Sequence, residues 1–145
     1  MSVKKWWVMV LLAILTLSLG LIGGCVSYQD TKSEEPVITL VTPAVAYSLI
    51  EENKANPDFI ILDVRTPEEY ADGYIAESIL LDFYADDFEA ELDKLDKNKT
   101  YLVYCRSGNR SGKSVKMMKD LNFREVYDVD GGILRWEAAG FPMVR

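Results

Sequence analysis

The sequence predicts an α/β domain in which a mainly parallel central sheet carries helices on both faces. Three observations predict it. Short apolar runs alternate with helical patterns from Pro36 onward, over about 110 residues. Phe59-Ile60-Ile61-Leu62 is apolar without alternation, as a strand buried on both faces requires. Thr-Pro pairs and glycines stand where helices should begin and end.

The elements follow in order. Val37 to Val41 reads as a strand. Thr42 then caps a helix that has Pro43 at its first position, with Val45, Leu49 and Ile50 as its apolar face. After the Phe59 strand, Thr66-Pro67-Glu68-Glu69 combines an N-cap, a first-turn Pro and a capping-box Glu, so a short helix starts there. Ile79-Leu80-Leu81 is a short strand. Phe88, Leu92 and Leu95 fall at helical spacing between Asp86 and Asp96. Tyr101 to Tyr104 is a strand running straight into Cys105. A helix follows from Ser111 to Leu121, with Val115 and Met118 on its inner side. Val126 to Val129 forms the last strand, and Gly131-Gly132 turns the chain into a final helix holding Leu134 and Trp136. Gly140 and Pro142 end that helix. No internal repeat or low-complexity segment interrupts the pattern.

The first 24 residues read as an address separate from the domain. Lys4 and Lys5 precede an apolar run from Trp6 to Ile22, then Gly23, Gly24 and Cys25. A basic start, an apolar middle and small residues before a cleavage point describe an export signal. Leu21-Ile22-Gly23-Gly24-Cys25 also resembles the lipobox of bacterial lipoproteins, in which the cysteine is lipid-modified and becomes the first mature residue. The alternative is an uncleaved anchor: the run would span about 26 Å as a helix, near the hydrocarbon thickness of a bilayer. Both readings leave the lysines in the cytoplasm and put the domain outside, at the cell membrane. The expected organisation is a signal over 1–24, a tether over 25–35 and the folded domain over 36–145.

Composition excludes several chemistries. The 145 residues contain no histidine, so neither a Ser-His-Asp triad, a Cys-His dyad nor a histidine-ligated metal site can form from this chain. Two cysteines, Cys25 and Cys105, are too few for a disulfide framework or a zinc cage. A net charge of −7 argues against nucleic acid as a partner.

The chemistry concentrates in Cys105-Arg106-Ser107-Gly108-Asn109-Arg110-Ser111, which follows a buried strand and opens a helix. Small residues at 107, 108 and 109 let main-chain N–H groups converge at the start of a helix, a cradle for an anion. The same field favours a thiolate. A free cysteine has a pKa near ~8.5, and such surroundings lower it to roughly 3.5–7.5. Arg106 and Arg110 add positive charge, and residues 105–119 hold five basic side chains and no acid. Cys105 is therefore the candidate nucleophile, against the alternative of a thiol merely buried at a strand end.

Three stretches resemble the single-domain rhodaneses, a sulfurtransferase family. Asp63-Val64-Arg65-Thr66-Pro67-Glu68-Glu69-Tyr70 with Gly73 is similar to its first signature. The loop from Cys105 to Ser111 is similar to its active-site loop. Gly131-Gly132-Ile133 with Trp136, Gly140 and Pro142 is similar to its closing motif. The resemblance runs from Val37 to Val144 and implies a rhodanese-like fold. Two positions depart from the pattern: Tyr74 stands where His is usual and Glu77 where Gly is usual, so altered packing or rim contacts are expected there.

The resemblance implies a two-step sulfur relay. Cys105 takes a sulfane sulfur from a small anionic donor such as thiosulfate and passes it to cyanide, a thiol or a protein acceptor. Backbone donors from Arg106 to Ser111 would hold the persulfide, with Arg106 and Arg110 orienting the donor. No metal or organic cofactor is called for. Asp63 and Arg65 are expected to form a structural ion pair. Two other readings stay open. One is a membrane-tethered sulfur carrier without turnover of its own. The other is a phosphatase or arsenate reductase of related fold, although those loops commonly place Arg six positions after Cys, where this chain has Ser111.

Overall fold

A computed structural model describes residues 35–145. The expected signal over 1–24, the lipidation candidate Cys25 and the tether up to residue 34 lie outside the described residues. Among the described residues five strands and five helices alternate: β1 (Val37–Val41), α1 (Pro43–Glu52), β2 (Phe59–Asp63), α2 (Pro67–Ala71), β3 (Ile79–Leu80), α3 (Phe88–Asp93), β4 (Thr100–Tyr104), α4 (Asn109–Asp120), β5 (Glu125–Val129) and α5 (Gly132–Ala138). The strands form one sheet in the order β1-β5-β4-β2-β3. Every pairing within it is parallel. This is the α/β architecture expected from the alternation of elements.

The helix starts are written locally. The Thr42 hydroxyl accepts from the Val45 N–H with Pro43 in the first turn. At Thr66 the full capping box forms: its hydroxyl accepts from the Glu69 N–H, and the Glu69 carboxylate accepts from the Thr66 N–H.

Strand alternation divides the core into two layers. Leu62, Tyr101, Val103 and Val126 point to one face, where they meet Phe88 and Leu92 of α3 and Val115 and Met118 of α4. Ile61, Leu102, Tyr104 and Val129 point to the other, against Ala46 of α1 and Ile133 and Trp136 of α5. Helices thus cover both faces, and β4, flanked on both edges, is buried from Tyr101 to Tyr104.

Two helices away from the cysteine loop differ from expectation. The inner face of α1 is Pro43, Ala46, Tyr47 and Ile50, while Val45 is exposed. Tyr47 sets this phase by stacking on Phe141, with ring centroids 4.9 Å apart, which turns Val45 outward. The helix around Phe88 is also shorter than its apolar spacing suggested. It stops at Asp93, and Leu95 packs against the core from the turn that follows.

The strand order makes a crevice. The chain leaves β2 toward β3 on one side and leaves β4 toward β5 on the other, so the carboxyl ends of β2 and β4 flank a topological switch point. Ligands of open parallel sheets collect at such points. Asp63 and Tyr104 are register partners at this edge, and Cys105 is the next residue along.

Candidate active site

Cys105 leaves β4 fully enclosed by its surroundings. The chain then curls around its sulfur. Gly108 sits at φ +91°, a left-handed conformation that side chains disfavour, and its N–H donates to Cys105 Sγ at 3.1 Å. From Asn109 the chain is helical, two residues earlier than the spacing suggested.

The curl is held from outside by α5. The Ile133 N–H donates to the Cys105 carbonyl at 2.8 Å, and the Leu134 N–H donates to the Arg106 carbonyl at 3.1 Å. With those carbonyls drawn outward, the N–H groups of the loop are left facing the sulfur. Gly132 lets α5 come this close at φ +58°. The closing glycine pair is therefore part of the site.

Burial pushes the Cys105 thiol up, but hydrogen bonds to its charged form outweigh it. The N–H groups of Ser111, Ser107 and Gly108, with the Ser111 hydroxyl close by, favour the thiolate and bring the thiol below its ordinary value. Main-chain dipoles and one hydroxyl are the largest favourable influences, and the Arg110 guanidinium adds a coulombic attraction to the thiolate.

The two arginines of the loop have different surroundings. Arg110 is buried, and its guanidinium grips the Glu69 carboxylate through two bonds, Nη1 to Oε2 at 2.6 Å and Nη2 to Oε1 at 2.7 Å. Its other face lies over the Tyr84 ring, 5.4 Å from the centroid. Glu69 is held below the usual carboxylate range chiefly by this arginine. Arg106 is exposed at the rim of a cleft of about 300 Å³ shared with Arg65, Leu134, Glu137 and Arg145. Ser107 and Asn109 are also exposed, on the outer surface of the loop.

Across the crevice, Asp63 and Arg65 are both buried. Arg65 Nη2 donates to Asp63 Oδ2 at 2.6 Å and to the Gly73 carbonyl at 2.8 Å, and the Arg65 N–H donates to Asp63 Oδ1 at 2.9 Å. The pair ties the turn after β2 to the end of α2. Tyr104 lies beneath it, 5.5 Å from the Arg65 guanidinium, and its hydroxyl accepts from the Ile75 N–H.

Tyr74 stacks on Tyr70 with centroids 4.2 Å apart, and it bridges Val144 by two backbone bonds. Glu77 adopts φ +63°. A left-handed backbone explains why glycine is usual at that position. Glu69 was not singled out from sequence as a site residue. Its signals there are the capping box and its place in the first signature, and neither hints at an arginine 41 residues later. Among the described residues no group of His, Cys, Asp and Glu could hold a metal, and no helix is long and apolar enough to cross a membrane.

The site can be set beside known proteins. The family model described as Rhodanese-like domain matches residues 42–139. YtwF of Bacillus subtilis, provisionally named a sulfurtransferase, is 34% identical over 95 residues, covering 66% of this chain and 89% of YtwF. The thiosulfate sulfurtransferase GlpE of Coxiella burnetii is 33% identical over 81 residues, covering 56% of this chain and 74% of GlpE. The crystal structure of a rhodanese-related protein from Thermoplasma volcanium superposes with a TM-score of 0.63 at 32% identity, over 73% of this chain and 97% of that one. With its sheet order, its cysteine loop and nearly all of residues 42–139 accounted for by one family, the chain belongs to the rhodanese-like domains, among relatives named as sulfurtransferases.

Proposed function

We propose that this protein transfers sulfane sulfur through a persulfide on Cys105. The observation that carries the reading is the Gly108 N–H directed at Cys105 Sγ, within a loop whose N–H groups lower the thiol despite its burial. The thiolate attacks the outer sulfur of a small anionic donor such as thiosulfate, forming a sulfur–sulfur bond as the donor's own breaks and sulfite departs with the electron pair. An acceptor nucleophile, either cyanide or a thiol, then takes the outer sulfur and restores the thiolate. The N–H groups that hold the thiolate would hold the inner sulfur of the persulfide. Exposed Arg106, at the rim of the neighbouring cleft, is the group suited to orient an anionic donor.

Arg110 serves this scheme as a buttress. Its guanidinium is committed to Glu69, which also weakens the phosphatase reading, in which an arginine must be free to hold a tetrahedral oxyanion.

Incubation with thiosulfate followed by intact mass spectrometry tests the first step. A gain of ~32 Da lost on Cys105→Ser is expected, and an unlabelled wild type would overturn the reading. Steady turnover with cyanide then separates an enzyme from a carrier.

We propose a membrane anchor from the sequence of the first 25 residues alone. Residues 1–24 direct export, and Cys25 receives a lipid that holds the domain outside the cell membrane. A mature chain beginning at Cys25 with added acyl mass is expected, lost in Cys25→Ser. A chain retaining Met1 would favour the uncleaved anchor.

A further inference from the structure

Behind the loop lies a carboxyl group that the proposed transfer leaves unused. Asp128 of β5 is paired in register with Val103 of β4 and Leu40 of β1, and it is 8% exposed. Alternation turns it to the same face as Val126, into the layer that holds Val115 and Met118 of α4. It sits under the first turn of that helix: a Cβ built on Gly112 would lie 3.6 Å from Asp128 Oδ2. Asp128 Oδ1 is shut off from solvent and has no hydrogen-bond partner. The same is true of the hydroxyl oxygen of Ser111, the residue before Gly112. Buried polar atoms are paired in roughly 90% of cases or more, so two neighbouring orphans behind a reactive sulfur call for a physical reason.

The Ser111 hydroxyl supplies one. It stands near enough to both the Cys105 sulfur and the Asp128 carboxyl to lower each, while bonded to neither in this arrangement. A hydroxyl has one hydrogen to donate and can accept another bond at its oxygen. It cannot donate to a thiolate and a carboxylate together. When sulfur and carboxyl share one proton, both can be satisfied. Either the carboxylic acid donates to Ser111 Oγ and the hydroxyl donates to sulfur, or the thiol donates to Oγ and the hydroxyl donates to the carboxylate.

We propose that Asp128 is a positioning residue for Cys105, keeping, through the Ser111 hydroxyl, the proton that the thiol gives up. The S–H bond breaks and its electron pair stays on sulfur. Its proton passes to Ser111 Oγ as the Ser111 proton passes to Asp128. One negative charge leaves the carboxylate and one appears on sulfur, so the charge balances without a histidine.

The surroundings suit this exchange. Burial raises the Asp128 carboxyl, against the Ser111 hydroxyl and with help from Asp130, to about 6. The carboxyl is thus raised while the Cys105 thiol is lowered, which brings the two groups toward each other in acidity. Asp130 is itself paired with Arg135. From β4 and β1 the register partners are the apolar Val103 and Leu40. From α4 the facing group is the Ser111 hydroxyl, and beyond it lies Cys105 of the preceding loop.

The inference rests on Cys105 working as a thiolate, and its test reads that state without requiring sulfur transfer. The full chain carrying Cys25→Ser in every variant, so that Cys105 is its single thiol, is titrated from acid to mildly alkaline pH, following thiolate absorbance and the rate of alkylation by iodoacetamide. For the wild type, two steps separated by at least ~1 pH unit are expected, because the coupled pair ionises in two macroscopic stages. Asp128→Asn should show one step, with alkylation at neutral pH about tenfold faster, since no carboxylate competes for the hydroxyl. Ser111→Ala should also show one step, at higher pH. A merely structural Asp128 would leave the shape of the curve unchanged. A single wild-type step, or two steps persisting in Asp128→Asn, overturns the proposal. Should Asp128→Asn fail to fold, the wild-type and Ser111→Ala curves decide. Two steps in a chain that never accepts sulfur from thiosulfate would uphold Asp128 and overturn the sulfur-transfer reading; one step in an active chain would do the reverse.

Discussion

Gly132 stands so close to Cys105 that a Cβ added to it would lie 2.3 Å from the Cys105 carbonyl oxygen, and 2.8 Å from the Arg106 carbonyl carbon. These are backbone atoms and cannot swing aside. The contact makes the start of α5 a clamp on the active-site loop.

Gly132→Ala is expected to cost about 2–4 kcal/mol, combining the left-handed backbone at φ +58° with the displacement of the loop. Urea denaturation measures the loss. The same variant should raise the Cys105 pKa, because the N–H groups would no longer converge on the sulfur. An unaltered alkylation profile in a destabilised protein would separate the clamp from the chemistry.

Cys105→Ser should abolish sulfur loading and leave the circular dichroism spectrum unchanged. The thiol also carries a signed pH effect. Its folded pKa lies below the ordinary thiol value. An acid depressed on folding contributes stability that is present above its unfolded pKa and lost as pH falls toward the folded value. Stability of the wild type relative to Cys105→Ser should therefore rise from neutral to alkaline pH. A flat difference would count against a stabilised thiolate.

The Glu69–Arg110 pair should show coupling of about 1–3 kcal/mol in a double-mutant cycle with Glu69→Gln and Arg110→Gln, read by denaturation. The side chains are 26% and 11% exposed, so solvent screens the pair only partly. Glu69 is depressed from 4.5, so this contribution is present above that pH and is lost as pH falls through the lower folded value. If Arg110 instead served mainly to bind the donor, Arg110→Gln would raise KM for thiosulfate and leave stability alone.

Asp63→Asn should destabilise by about 3–5 kcal/mol, because it leaves the Arg65 charge buried without its partner. Retained stability with lost turnover would transfer the pair from the scaffold to the reaction.

Glu77→Gly should stabilise by about 1 kcal/mol, through relief of a left-handed conformation at φ +63° on an exposed residue. The gain is expected as a rise in thermal midpoint of several degrees with activity unchanged. A fall in the midpoint would show that the Glu77 side chain contributes more than its backbone costs.

Much of the domain is legible residue by residue because its signals are local. Thr42-Pro43 and Thr66-Pro67 start helices through bonds spanning three residues. The apolar runs at Phe59 and Tyr101 announce strands covered on both faces. A cysteine at a strand end, followed by small residues and a helix, implies converging N–H groups by backbone geometry alone. The tertiary structure decided what depends on neighbours distant in the chain. Sheet order brought Glu69 to Arg110 and joined an expected anion-binding guanidinium to a carboxylate. Stacking of Tyr47 on Phe141 chose the face of α1. The register of β5 with β4 carried Asp128 beneath Ser111. Local sterics and hydrogen bonding determine which conformation a segment adopts, whereas a side chain's charge, burial and partner follow from which segments pack together.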